Sequence, residues 1–246
     1  MTKMLDDDVS ELVRNDFKTA AGSTTTPTEN KRRAELKVAV GNKVVVFFIG
    51  GAADKESYYF QGPNNNIQIV KDFFDPLVED LGPRLLYSSF HLDYSDAKGS
   101  GDITKHVTDR IPAKTCPVYI VGHSLGGWNG AHLSAILSAD GYNVEMLITL
   151  DPVGEGLLVS LGSDIHGSKP KPVAKFWINL RARPKKPDQS DSVAEFGERW
   201  TVTTGPNLNY IADVNHYDAK KLFLAPLKDK KSAGDYLLES IRKLTK

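Results

Sequence analysis

Ser124 is the residue of this sequence with the strongest claim to chemistry, because it sits in Gly122-His123-Ser124-Leu125-Gly126, followed by Gly127. A serine hydroxyl is a poor nucleophile at neutral pH, so it needs a histidine base and a carboxylate that orients the base. The chemistry in reach is then acyl transfer through a covalent serine ester. A Gly-x-Ser-x-Gly pentapeptide is weak evidence alone, and its setting decides. Here an apolar strand pattern, Pro117 to Val121, precedes it and a helical pattern from Ser124 to about Ala139 follows, which is the strand-turn-helix of a nucleophile elbow. Small residues must flank the serine because side chains there would collide with strand or helix. Gly122 and Gly126 meet that requirement.

The base and the acid must come later in the chain. Of the six histidines, His91 and His106 precede the serine, His123 lies inside the elbow and His132 lies on the helix behind it. His166 and His216 remain. His216, in Asp213-Val214-Asn215-His216-Tyr217-Asp218, lies between the last expected strand and the terminal helical region and is the chosen base, with His166 assigned to a mobile loop. Asp151 ends the strand Val144 to Leu150, where Pro152 stops the strand, and is the chosen acid. Asp188 and Asp191, beyond the next strand, are its rivals.

An oxyanion hole needs two backbone N–H groups aimed at the developing charge. One is expected from Leu125, directly after the serine. The second is expected from Ile49-Gly50-Gly51-Ala52-Ala53-Asp54, with Ala52 preferred and Gly51 as the alternative. Tyr58, Tyr59 and Phe60 follow this loop and suit either a substrate pocket or the core.

These residues require elements that hold them together. Lys43 to Ile49 is apolar on both faces, as in a strand covered from both sides in a parallel sheet. Leu36 to Val40 and the turn Gly41-Asn42 pair with it in an expected hairpin. Ile67, Val70, Phe74, Leu77, Val78 and Leu81 recur at helical spacing, with Pro76 expected to kink or divide that helix. A strand over 84–90, a helix over 102–111 capped by Ser100 or Asp102, a strand over 173–180, a weaker strand over 199–203 and a closing helix with Leu237, Ile241 and Leu244 complete the pattern. Strand alternating with helix predicts an open α/β sheet, mostly parallel, with helices on both faces. Residues 1–34 are polar and read as a lead-in to one domain spanning 35–246. Within 153–172, Leu157, Leu158, Val159 and Leu161 suit an apolar lid over the serine and equally suit a core helix and loop.

Gly-His-Ser-Leu-Gly-Gly at 122–127, Leu-Asp-Pro at 150–152 and Asn-His at 215–216 together resemble the α/β-hydrolase lipases, particularly the pancreatic-type and related lipases. The resemblance covers roughly residues 38–220. It implies an α/β-hydrolase fold, a Ser124–Asp151–His216 triad and a lipid ester as substrate, as in a lipase or phospholipase. Two departures stand out. Gly50-Gly51 occupies the place where many such lipases carry a His-Gly oxyanion pair, and a single cysteine, Cys116, leaves none of the disulfides of the secreted animal enzymes. A small-ester esterase, a thioesterase and a hydrolase-fold binding protein without catalysis are the competing readings.

Composition narrows the partners. Thirty-one basic and 31 acidic residues cancel to a net charge of zero, which argues against a dedicated nucleic-acid binder. No metal-ligand spacing, phosphate-binding loop or dinucleotide fingerprint stands in the sequence, so no cofactor is expected. No protein partner is predictable. Lys169, Lys171, Lys175, Arg181, Arg183, Lys185 and Lys186, with Lys220, Lys221, Lys228, Lys230 and Lys231, form basic stretches that suit peripheral contact with anionic lipid, or merely a solvated face. Asp6, Asp7 and Asp8 stand where a secretory signal would be basic and then apolar, so a cytoplasmic location is expected, with signal-independent secretion left open.

Overall fold

The structure is a computed structural model that describes residues 42–57 and 62–245. The lead-in, the hairpin arm Leu36 to Val40 and the aromatic group Tyr58, Tyr59 and Phe60 lie outside those residues.

Among the described residues six strands form one sheet in the order β2-β1-β3-β4-β5-β6, and every pairing between them is parallel. They are β1 (Asn42–Ile49), β2 (Leu85–Leu92), β3 (Pro117–His123), β4 (Asn143–Leu150), β5 (Phe176–Ala182) and β6 (Leu208–Ala212). Parallel strands need crossovers, and helices supply most of them: α1 (Asn66–Glu79), α2 (Ser100–His106), α3 (Leu125–Ala139), α4 (Leu157–Gly162) and α5 (Gln189–Phe196). Two more, α6 (Ala219–Leu224) and α7 (Ala233–Arg242), follow β6.

The period of two along a strand explains why both faces are covered. In β1, Val44, Val46 and Phe48 point into one apolar layer with Ile67, Val70 and Phe74 of α1, Phe223 of α6 and Leu237 of α7. Val45, Phe47 and Ile49 point the other way, against Ile103 of α2 and Trp128, Leu133 and Leu137 of α3. A strand alternating within an unbroken apolar run is thus buried on both sides. The result is an open, parallel α/β sheet with helices on both faces, and Ser124 stands in the turn at the carboxyl end of a central strand.

Several expected elements differ. The helix α1 runs undivided through Pro76. Pro76 is exposed, so the one backbone bond it forgoes faces water, while Phe74 and Val78 on either side of it pack on the sheet. Gly99, not Ser100 or Asp102, is the N-cap of α2, and the Asp102 carboxylate folds back over it. The stretch 199–203 is no strand. Its β-like composition reflects Trp200, which packs between Trp177 and Trp128 at ring distances of 5.6 and 5.7 Å, and Arg199 makes only an isolated bridge to Val153. The last strand is β6, whose alternating half-exposed pattern left little apolar signal.

Candidate active site

All the expected site residues cluster at the carboxyl ends of the strands, where parallel sheets place their ligands. Register brings the ends level: Ile49 pairs with Gly122, and Gly122 with Thr149. Gly50-Gly51, Ser124 and Asp151 then follow the ends of three neighbouring strands, β1, β3 and β4.

Ser124 adopts φ 56 and ψ −126, a conformation that L-residues rarely hold. The surrounding backbone enforces it. The Ser124 N–H donates to Leu150 O at 3.1 Å, and its carbonyl accepts from Gly127 N at 2.9 Å and Val153 N at 3.1 Å. The flanking glycines are obligatory, since a Cβ on Gly122 would stand 2.3 Å from Gly126 O and one on Gly126 would stand 2.3 Å from Ile49 O.

The His216 ring joins the serine and the acid. Its Nε2 lies 3.0 Å from Ser124 Oγ and its Nδ1 lies 2.6 Å from Asp151 Oδ2. With Nδ1–H donating to the carboxylate, Nε2 is free to accept the serine proton. Asp151 is fully buried and itself holds a positive φ of 43°. Its N–H donates to Leu180 O at 2.7 Å and its Oδ1 accepts from Ala182 N at 2.9 Å, which ties it to β5. Burial works against its charge, but the His216 and then the Arg199 hydrogen bonds and charges prevail and hold the carboxyl below its ordinary value.

The rival carboxylates have other work. Asp188 is the N-cap of α5, accepting from Ser190 N at 2.8 Å, and Asp191 completes the capping box. Asp191 also accepts from His216 N at 3.1 Å and Asn215 Nδ2 at 2.9 Å, so it anchors the segment that carries His216. His166 is not part of a loose loop facing the serine. Its N–H donates to Asn129 Oδ1, its carbonyl accepts from Trp128 Nε1 and its ring stacks on His132 at 4.3 Å, all on α3.

In the expected oxyanion loop, Gly51 lies directly against Ser124: a Cβ there would stand 2.5 Å from Ser124 Cβ. Ala52 is next to it and half-buried. Leu125 opens α3, where the first N–H groups have no intrahelical acceptor and face the positive end of the helix. The loop is secured by Asp54, buried beneath Gly50, whose carboxylate accepts from Ile67 N at 3.1 Å at the start of α1.

Two residues that contribute to this geometry had no role assigned from the sequence. His123 is buried, donates from Nε2 to His216 O at 2.7 Å and packs ring to ring with His216 at 4.9 Å. Burial, then the His216 charge, push its pKa down to about 3, so it stays neutral. Arg199 donates from Nε to Asp151 Oδ2 at 2.8 Å. Neither carries a sequence signal beyond residue type, because both contacts join segments far apart in the chain.

The segment 153–172 divides. Asp164 O and His166 are bonded to Asn129 and Ile165 is buried, so its second half is fastened to α3. In its first half Leu157 and Leu161 of α4 are 72% and 77% exposed. Gly197, just after α5, leaves no room for a side chain, since a Cβ there would stand 2.5 Å from Val153 Cγ1, and Val193 and Phe196 of α5 are also exposed. Among the basic residues, Lys169, Lys175, Lys185, Lys221 and Lys231 each pair with a carboxylate. Among the described residues no group of His, Cys, Asp or Glu is arranged to hold a metal ion, and no helix is long and apolar enough to cross a membrane.

No protein-family model matches the chain, and no curated protein matches its sequence. Among solved structures it is similar to the crystal structure of the esterase domain from a Rhodothermus marinus protein, at 12% identity and a TM-score of 0.40, over 82% of this chain and 88% of that one.

Proposed function

We propose that this protein is a serine hydrolase of carboxylic esters, with lipid esters as its substrate class. The observation that carries the reading is the continuous hydrogen-bonded chain from Ser124 Oγ through His216 to the buried Asp151, with distances of 3.0 and 2.6 Å. In this reading Ser124 Oγ attacks the ester carbonyl while His216 Nε2 takes its proton. Asp151 keeps the ring in the tautomer that can accept at Nε2 and offsets the imidazolium charge. The amides of Leu125 and of Ala52, or of Gly51 in its place, receive the oxyanion. His216 then protonates the departing alkoxide, and a water that it deprotonates releases the acid from Ser124.

The lipid preference is supported by the exposed Leu157 and Leu161 of α4 and Val193 and Phe196 of α5. Apolar side chains left in water suit contact with an acyl chain or a lipid surface, and α4 begins only a few residues after Asp151 in the chain.

The test uses p-nitrophenyl esters of rising chain length and phospholipid vesicles, with wild type and Ser124→Ala, and a fluorophosphonate label read by mass spectrometry. Labelling at Ser124 and hydrolysis that the variant loses are expected, with long chains or vesicles preferred. Hydrolysis confined to short esters would leave an esterase and remove the lipid assignment. Folded wild type that neither labels nor hydrolyses any substrate would leave a binding protein on a hydrolase fold.

A further inference from the structure

Oδ2 of Asp151 accepts twice, from His216 Nδ1 at 2.6 Å and from Arg199 Nε at 2.8 Å. The Arg199 side chain is only 6% exposed, and its other two nitrogens are also occupied: Nη2 bonds to Asp191 Oδ1 at 2.8 Å and Nη1 to Glu195 Oε1 at 2.9 Å. A planar guanidinium can span three carboxylates in this way where an ammonium cannot. Its backbone is fixed as firmly, because Trp200 N donates to Pro152 O while Gly154 N and Glu155 N both donate to Glu198 O. The arginine segment is thus laced to the residues that directly follow Asp151.

We propose that Arg199 is a positioning residue of the triad, bracing Asp151 directly and the His216 backbone through Asp191. The proposal rests on the hydrolase reading for its purpose, though not for its geometry. Asp191 Oδ1 accepts from Arg199 Nη2 and from His216 N alike, so one guanidinium is connected to both the acid and the segment bearing the base. The charge argument follows from proximity. A cation that shares the oxygen used by His216 weakens the field that favours imidazolium, so removing it makes the ring a stronger base. The charged and titratable groups facing His216 are Asp151 after β4, His123 at the end of β3, Arg199, and Asp191 of α5, with Asp213 and Asp218 flanking it on its own segment.

The test is the titration of the His216 ring followed by NMR, which needs no substrate, together with pH profiles of kcat/KM on a p-nitrophenyl ester. Arg199→Met is expected to raise the midpoint of the His216 titration, and the acid limb of the profile, by about one pH unit. It is expected to lower plateau kcat about ten- to a hundredfold through misplacement of the ring. Asp191→Asn removes a negative charge near the same ring and is expected to move the midpoint the opposite way. Arg199→Lys retains a cation but not the three-way bridge, so it is expected to leave the midpoint within a few tenths of wild type while losing much of kcat.

A brace that served folding alone would move melting temperature without opposite shifts in titration. Unmoved midpoints in folded Arg199→Met and Asp191→Asn, or shifts of the same sign in both, overturn the proposal. Should Arg199→Met fail to fold, the Asp191→Asn shift and the kcat loss of Arg199→Lys decide it, and their joint absence overturns it as well. Wild type that hydrolyses no ester while the titrations shift as stated would sink the hydrolase reading and leave the brace standing.

Discussion

At the scale of single residues, the three carboxylates weighed as the acid divide by what they accept. Asp151 takes the ring N–H, whereas Asp191 takes the backbone N–H of the same histidine and Asp188 caps a helix. Asp151→Asn is therefore expected to lower kcat about a thousand- to ten-thousandfold, because an amide at that place can favour the wrong tautomer. Asp188→Asn is expected to keep kcat within a few-fold and cost at most about 1 kcal/mol, as cap replacements do. Steady-state kinetics and urea melts on the two variants check both, and comparable kcat losses would mean that the acid is misassigned. The place of Asp151 was legible beforehand, after the strand next to the elbow. The role of Asp191 was not, since nothing in Gln189-Ser190-Asp191 indicates which distant amide will point at it.

At the scale of elements, the elbow is the part most completely written in local sequence. Its glycines answer to steric limits within a few residues and to the strand beside it. Gly51 extends that argument to a neighbouring loop: Gly51→Ala places a methyl against Ser124 and is expected to cost at least about a hundredfold in kcat/KM while the far-ultraviolet spectrum stays native. A second element-level expectation concerns Pro76, exposed within a helix that continues past it. Pro76→Ala is expected to stabilise the protein by about 1–3 kcal/mol, read by chemical denaturation, because it restores a backbone donor and removes the ring clash. On the apolar side, the double change Leu157→Ser with Leu161→Ser is expected to reduce hydrolysis of vesicles about tenfold or more and leave short soluble esters within twofold. Equal loss on both substrates would detach α4 from lipid contact.

At the scale of the whole molecule, buried titrating groups tie the fold to pH. His123 is held neutral down to about pH 3, and the half-buried His91 and His132 down to about 4, in each case chiefly by burial. Their folded values lie below the ordinary 6.5, so their contribution to stability is present above that pH and is lost as pH falls through 4 and 3. Asp54 has the opposite sign. Burial raises it to about 6 against the help of the Ile67 and Asn66 N–H groups, so its contribution is full below about 4 and is lost as pH rises through 6. Melting temperature is expected to drop as pH is lowered from 7 to 4, since three histidines outweigh one aspartate. The stability difference between Asp54→Asn and wild type is expected to move in favour of the variant by up to about 3 kcal/mol between pH 4 and 7. A pH-independent difference would mean that Asp54 is ordinarily ionised in the fold.

What the sequence by itself determined is what local rules can carry. Doubly buried strands announce themselves as unbroken apolar runs, a tight turn demands glycine, and chain order places Ser124, Asp151 and His216 after the ends of different strands. Tertiary structure decided what depends on segments meeting. It showed that Arg199, on a stretch that reads like a strand, lies against Asp151, that Asp54 seats the Gly50-Gly51 loop on α1, and that β6 forms one edge of the sheet. The physical reason is one of range. Steric and periodic constraints act within a few residues, whereas a hydrogen bond between residues 48 positions apart, as from Arg199 to Asp151, leaves no trace in the residues around either end.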